Sequence, residues 1–381
     1  MTLDFRASER ATLGVEWELA LVDRTSRDLV NCAPRVMAAL PDDPGLRPGR
    51  VHRELLLNTV EVVTGICDAV PEAVADLDTT VATVRKVTDA LGLELFCAGT
   101  HPFARWADQQ VSDGERYARL IDRTQWWGRQ MLIYGVHVHV GVRSVHKVMP
   151  MLDALLNWFP HLQALSASSP FWDGADTGYA SNRAMMFQQL PTAGLPFQFD
   201  DWAGYERYVD DMFTTGVIDE LGEIRWDIRP SPRLGTIEVR VCDGIPTLEE
   251  VGALTALVHC LVDDLDRRLD DGEKLPTMPP WHVQENKWRA ARYGVDAEVI
   301  LDAAGRERLV TDDLAELVDR LTPTARRLGC ENELAHVDAI VRRGASYQRQ
   351  RAVAEASGGD LHAVVDSLCA ELRNGPGSIR A

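Results

Sequence analysis

No stretch of the chain approaches the ~20 consecutive apolar residues that a membrane-spanning helix requires, so no membrane partner is expected. Cysteine gives no pattern. The seven cysteines (Cys32, Cys67, Cys97, Cys242, Cys260, Cys330 and Cys369) are odd in number, scattered and without a CxxC spacing. That argues against a disulfide framework or a zinc knuckle and leaves them as small core residues. Positive charge is in deficit: 40 Lys plus Arg stand against 58 Asp plus Glu, a net charge of −18. This speaks against a nucleic-acid surface, and an anionic small substrate would need arginines or metal ions gathered locally. The start, Met1-Thr2-Leu3-Asp4-Phe5-Arg6, has no basic segment followed by an apolar one; the expected location is the cytoplasm. Also absent are a GxxxxGK[ST] phosphate loop, an HExxH zinc helix, a GxSxG elbow and a GxGxxG after a strand. A nucleotide, if bound, must then be held by metal ions and arginines.

What is present begins with Leu13-Gly14-Val15-Glu16-Trp17-Glu18-Leu19-Ala20-Leu21-Val22-Asp23. Successive side chains of a strand point to opposite faces, so Glu16 and Glu18 stand side by side and Trp17 points away. Two adjacent buried carboxylates repel, and a divalent cation between them is the simplest remedy. A second strand is expected over 55–64, interrupted by Glu61 and with Glu54 at its mouth. Gly135-Val136-His137-Val138-His139-Val140-Gly141-Val142 alternates strictly, with His137 and His139 on one face; Thr236-Ile237-Glu238-Val239-Arg240-Val241-Cys242 does the same with Glu238 and Arg240. On one strand such a pattern marks the solvent face of an antiparallel sheet. Four strands together point to a shared site of carboxylates, imidazole and guanidinium. Its oxygen-rich donor set suits Mg²⁺ or Mn²⁺ better than zinc.

Around these strands, Val74, Leu77, Val81, Val84 and Leu91 recur at helical spacing after Pro71. Helices are also expected at about 113–132 and at 151–165, the latter bent at Pro160. The runs 41–49 and 168–179 read as loops, and the length of the second marks it as functional or mobile. After Pro246 the chain reads as helices. Its 381 residues can bury a substantial core. The expectation is one catalytic domain, 1–381, with a sheet-bearing core at 1–246 that holds the metal and ATP site and a mainly helical part at 247–381 packed on it. The apolar stripe Leu314, Leu317, Val318 and Leu321 could face the same chain or a second copy in a homodimer. The fold class is α+β.

Taken in order, several segments resemble the glutamate-cysteine ligase type 2 family and its bacterial carboxylate-amine ligase branch. They are Gly14-Val15-Glu16-Trp17-Glu18, Gly99-Thr100-His101-Pro102-Phe103, His137-Val138-His139-Val140-Gly141, Ser168-Ser169-Pro170-Phe171-Trp172 with Asp176-Thr177-Gly178-Tyr179, Trp226-Asp227-Ile228-Arg229-Pro230 and Thr236-Ile237-Glu238-Val239-Arg240. Glu285-Asn286-Lys287-Trp288-Arg289 and Gln348-Arg349-Gln350-Arg351 extend the match through the helical tail. One departure is Trp17, where many members carry a third acidic residue. The resemblance implies a glutamine-synthetase-like antiparallel sheet forming a cradle for ATP and Mg²⁺. It also implies a ligase that activates a carboxylate as an acyl phosphate and passes it to an amine, plausible substrates being glutamate and cysteine. Glu16, Glu18, Glu54, Glu61, His137 and Glu238 would ligate Mg²⁺; Arg240 would hold the transferring phosphoryl group; Arg183 and Arg229 would bind phosphate or the substrate carboxylate. Removing Glu238 or Arg240 would abolish turnover and leave the fold intact.

Two other readings share these residues. His137 and His139 resemble the paired histidines of metal-dependent amidohydrolases, a class that needs further histidines at later strand ends. A catalytically silent nucleotide-binding relative is the other, and the occupied acidic positions disfavour it.

Overall fold

The computed structural model describes residues 3–41 and 49–376. The loop expected at 41–49 therefore lies mostly outside the described residues. In chain order the strands are β1 (Leu13–Asp23), β2 (Val51–Arg53), β3 (Thr59–Val63), β4 (Leu93–Phe96), β5 (Val136–Gly141), β6 (Phe171–Trp172), β7 (Ala175–Asp176), β8 (Ile228–Ser231), β9 (Thr236–Val239), β10 (Glu298–Ile300) and β11 (Glu307–Leu309). The helices are α1 (Ala33–Ala39), α2 (Val70–Ala90), α3 (Glu115–Arg129), α4 (Val145–Leu155), α5 (Phe159–Ser166), α6 (Asn182–Phe187), α7 (Trp202–Thr214), α8 (Leu248–Asp270), α9 (Pro280–Tyr293), α10 (Val310–Leu328), α11 (Glu331–Arg343), α12 (Ser346–Ala356) and α13 (Leu361–Asn374).

The main sheet runs β2-β3-β1-β5-β9-β8, with β4 paired to the second half of β1, and every pairing is antiparallel. Alternation sorts its two faces. Leu13, Val15, Trp17 and Leu19 of β1, Val60 and Val62 of β3, Val136, Val138 and Val140 of β5, and Ile237 and Val239 of β9 are all buried in one core. They pack against α2 and α8. Fully burying each such side chain is worth roughly 1.5–3 kcal/mol, so this face alone commits the sheet to its helices. Trp17 sits on that face as expected, its indole N–H donating to the Ile245 carbonyl and the Cys97 sulfur, both at 3.1 Å.

α8 is 23 residues long and buried nearly all round. It begins at Thr247, whose hydroxyl accepts the Glu250 N–H at 3.2 Å, an N-cap that satisfies one unpaired first-turn donor. The helices α10 and α11 pack on it. Leu314, Leu317, Val318 and Leu321 are buried there, so this stripe faces the same chain. No helix among the described residues is long and apolar enough to cross a membrane.

Three local expectations change. The strand expected over 55–64 is a hairpin: β2 and β3 pair, and the Leu-rich run between them turns, with Leu56 buried under an isolated bridge to Val111. Pro160 does not bend a long helix but lies in the first turn of a new one, α5, where a missing N–H costs nothing. Within 168–179 lies a two-stranded hairpin, β6–β7, turned by Asp173 and Gly174 at φ 49° and 85°. Two successive positive φ values match the twist of a tight hairpin. The hairpin β10–β11 in the helical tail had no expectation attached.

Candidate active site

The other face of the sheet carries the charges. Register places Glu18 opposite Glu61, Glu16 opposite His137, and Glu238 opposite both His139 and Arg229. Side chains directly opposite on antiparallel strands lie within reach of each other, so β3, β1, β5, β9 and β8 present one continuous polar row. Glu54 joins it from the end of β2, and Arg240 from just beyond β9, where its N–H donates to the Asp227 carbonyl at 2.8 Å.

His137 Nδ1 lies 2.9 Å from Glu16 Oε2, and His139 Nε2 lies 3.3 Å from Glu16 Oε1. His139 Nδ1 meets the Thr236 hydroxyl at 2.9 Å. Ligand atoms of Glu16, His137 and Glu238 fall within 4.8 Å of one another, and so do those of Glu18, Glu61 and His137. Above the row is a cavity of about 300 Å³ lined by Glu16, Glu18, Glu54, Glu61, His137, Arg183, Arg229 and Arg240. Eight of the nine residues expected at the site thus line one cavity. Glu238 does not reach the surface of the cavity. It lies 1% exposed beneath it, where Arg229 grips it with Nε at 2.7 Å and Nη2 at 3.3 Å, and Arg240 donates to Oε1.

Burial raises Glu18 to about 8, helped by the neighbouring charge of Glu54 and opposed by Arg183 and Arg240. Glu61 is raised well above the usual carboxylate range by burial and by Glu54, Glu16 and Glu18; Glu54 is raised by burial. Burial would raise Glu16 too, but hydrogen bonds from His137 and His139 hold it below its ordinary value. Glu238 is likewise held down against burial by Arg229 and Arg240. Burial, with Arg240, lowers His137 to about 4, so its ring is neutral, and its buried Nε2 has no hydrogen-bond partner. Three carboxylates that cannot all ionise alone, beside an unpartnered neutral imidazole nitrogen, form a donor set that fits a hard divalent cation.

The arginines divide by what their donors do. Arg229 spends four of its five N–H groups inside the protein, on Glu238 and on the carbonyls of Gly222 and Ile224. Arg183 is 3% exposed and donates to the carbonyls of Arg240 and Val241. Its own position is built by Asp243. That carboxylate accepts from Ser168 N–H (3.0 Å), the Ser169 hydroxyl (2.6 Å) and the Ser181 hydroxyl (2.8 Å), while Ser169 Oγ accepts the Arg183 N–H at 3.0 Å. Gly99 leaves room for this knot, since a Cβ there would sit 2.6 Å from the Asp243 carboxylate. Arg240, by contrast, spends one donor on Glu238, leaves its buried Nε without a partner, and lines the cavity.

Similarity to known proteins follows this geometry. The model for "Glutamate-cysteine ligase family 2(GCS2)" matches residues 12–367. The chain belongs to that family. It is 66% identical over 370 residues to "Putative glutamate--cysteine ligase 2-1" of Mycobacterium sp. strain KMS, covering 97% of both chains. Over the same length it is 65% identical to "Putative glutamate--cysteine ligase 2" of Mycobacterium tuberculosis strain ATCC 25177 / H37Ra. Among solved structures it shares its fold with the glutamate–cysteine ligase of Francisella tularensis in complex with AMP, at a TM-score of 0.68 and 15% identity over 97% of this chain and 90% of that one. The Pup ligase PafA, in complex with Pup, gives 0.51 at 12% identity over 94% and 72%. This family membership makes the chain a ligase and places it in the α+β, glutamine-synthetase-like class expected from the sequence.

Three polar side chains of the cavity escaped the sequence reading: Arg116 and Tyr117 of α3, and Arg225. Arg225 immediately precedes Trp226-Asp227-Ile228-Arg229-Pro230, which was its only signal. The α3 residues had none, because only the fold sets that helix over the sheet. The histidines an amidohydrolase would need are placed elsewhere: His259 is buried in α8 against the Ala11 carbonyl at 2.7 Å, and His282 lies in α9.

Proposed function

We propose that this chain uses ATP to join a carboxylic acid to an amine through an acyl phosphate, with glutamate and cysteine, named for its relatives, as the pair to test first. The observation that carries the reading is a single cavity in which four carboxylates and His137 face guanidinium groups on one sheet surface. A carboxylate approaching a triphosphate is repelled, and only such a mixed site can hold both anions and the charge of the group in transfer. Glu16, Glu18, Glu54, Glu61, His137 and the deeper Glu238 would hold Mg²⁺, or Mn²⁺ by the same donor chemistry. When bound, the cation neutralises phosphate charge. Arg240, with donors to spare, receives the transferring phosphoryl group. Arg183 and Arg229 keep Arg240 and Glu238 in place and offer their remaining N–H groups to phosphate.

A second cavity of about 560 Å³ shares Glu16 and Glu61 with the first and is otherwise lined by Val15, Val63, Ile66, Leu234 and their neighbours. Its apolar walls suit a nucleobase, which supports entry of ATP from that side and of the acid from the arginine side. A reaction fed by ATP supports a cytoplasmic location. The test supplies ATP, Mg²⁺, glutamate and cysteine and measures ADP, phosphate and dipeptide. Acid labelled with ¹⁸O in its carboxylate should transfer label to phosphate. No ADP release with a broad panel of acids and amines would overturn the ligase reading.

A further inference from the structure

The arginine wall of the cavity holds more positive charge than the protein itself uses. Arg229 and Arg240 are matched by Glu238, and Arg183 is spent largely on carbonyls. Arg225 is matched only weakly. Its side chain is only 14% exposed, yet among the described residues the guanidinium makes one hydrogen bond, from Nη1 to the Glu223 carbonyl at 3.0 Å. The Glu223 carboxylate stands 4.0 Å away, at the outer limit of an ion pair, and also serves Arg123 at 3.8 Å. Arg116 makes no hydrogen bond or ion pair among the described residues; its guanidinium lies 5.8 Å from the Tyr117 ring centroid.

The backbone under Arg225 is fixed. Its N–H donates to the Thr192 carbonyl at 3.2 Å, and Asp227 N–H donates to the Gly194 carbonyl at 2.8 Å, so the guanidinium is presented from a rigid base. Burial lowers Arg225 to about 10; the charge of Glu223 opposes this, and Arg116, Arg240 and Arg229 close by add to it. A buried, forked donor pre-set among like charges, with one carboxylate only at the 4.0 Å limit and no hydrogen bond to it, is complementary to a bidentate anion.

We propose that Arg225, assisted by Arg116, is the specificity-determining group that holds the second, unreactive carboxylate of the acid substrate. The inference rests on the ligase reading of the same cavity and deepens it. The acid is an amino dicarboxylate whose reacting carboxylate lies at Arg240 while the other seats against Arg225. An acid lacking that second group leaves the guanidinium desolvated and unpaired, and such sites reject the deficient analogue strongly.

Glutamate and 4-aminobutyrate provide the probe pair, because they differ only by the carboxylate in question. ADP release with each acid is compared in the unaltered enzyme, Arg225→Gln, Arg225→Lys and Arg116→Ala, and binding of each acid is measured by calorimetry without ATP. The unaltered enzyme should prefer glutamate by at least about 100-fold in kcat/KM. Arg225→Gln should raise KM for glutamate by about 100-fold, with a change in kcat below about tenfold, and bring the ratio of the two acids toward one. Arg225→Lys, a point charge without the fork, should recover part of that preference; the exposed Arg116 should cost about tenfold. Binding of the two acids with equal affinity, or an unchanged preference in folded Arg225→Gln, would overturn the proposal. If no acid and amine release ADP, the ligase reading fails separately, and the binding comparison still decides the role of Arg225.

Discussion

Glu238 is the group whose loss the structure makes most costly. It is fully buried, and its two oxygens answer two guanidinium groups, Arg229 and Arg240. Glu238→Ala removes one negative charge and strands two positive ones that are only 17–18% exposed, a change that costs up to about 3–5 kcal/mol, less whatever water in the cavity recovers. With about 2.1 cal/mol/K of unfolding entropy per residue, a chain of 381 residues gains roughly 0.8 kcal/mol/K. The expected fall in the melting midpoint is therefore up to about 4–6 °C. The expectation that turnover is lost with the fold untouched is thus refined: ADP release should vanish and stability should drop with it. Differential scanning calorimetry on Glu238→Ala, Arg229→Ala and the double variant measures both terms. The double variant should lose less than the sum of the singles, since each single leaves an orphan that the double does not. Arg306→Ala, from an exposed ion pair with Asp302, is the control. A midpoint for Glu238→Ala within about 1 °C of the unaltered chain, or strict additivity, would refute the account of Glu238 as the counter-charge of the arginine wall.

A divalent cation should stabilise the fold, because Glu18, Glu54 and Glu61 are crowded and raised in its absence. Mg²⁺ at 100 times its Kd should contribute about 2.7 kcal/mol, seen as a rise of about 3 °C over EDTA-treated protein that disappears in Glu18→Gln/Glu61→Gln; equal rises in both proteins would sink the assignment. His101 should make stability depend on acid. Its Nδ1 accepts the Ala104 N–H at 3.0 Å and its Nε2 meets the Arg27 carbonyl at 2.9 Å, so the buried ring is neutral, and burial lowers it to about 3. Between that value and about 6.5 the unfolded chain binds the extra proton, so stability falls as pH drops below ~6.5, by up to about 1.4 kcal/mol per unit from this group. His101→Asn, which keeps an acceptor and cannot titrate, should flatten the slope of urea midpoints between about pH 7 and 5; an unchanged slope would show that other groups set it.

Much of the site was legible because strand alternation is a strict geometric rule. Glu16 with Glu18, His137 with His139 and Glu238 with Arg240 share faces, and Trp17 points the other way. What alternation does not encode is depth. It could not tell that Glu238 lies under the cavity floor while Glu61 lines it, since that depends on the arginines above. Nor could it find Arg116, which arrives on a helix from elsewhere in the chain. The Leu55-Leu56-Leu57 run read as strand because apolar residues can bury a turn as well as a ladder. Gly99-Thr100-His101 and Ser168-Ser169 stood in the sequence only as segments of the family resemblance. They are scaffolding: Ser168 and Ser169 bond Asp243 and the Arg183 N–H, His101 bonds the Ala104 N–H of its own loop, and none of them lines the cavity.

The same polar row has a consequence for how the chain finds its fold. Side-chain direction has a period of two, so sliding β1 by one residue against β3 and β5 would carry Glu16 and Glu18 into the layer packed on the helices and turn Trp17 outward. Each misplaced carboxylate would cost several kcal/mol. A slipped β1 is therefore rejected by the residues that later meet the substrates. The charged face proofreads strand pairing before it does any chemistry.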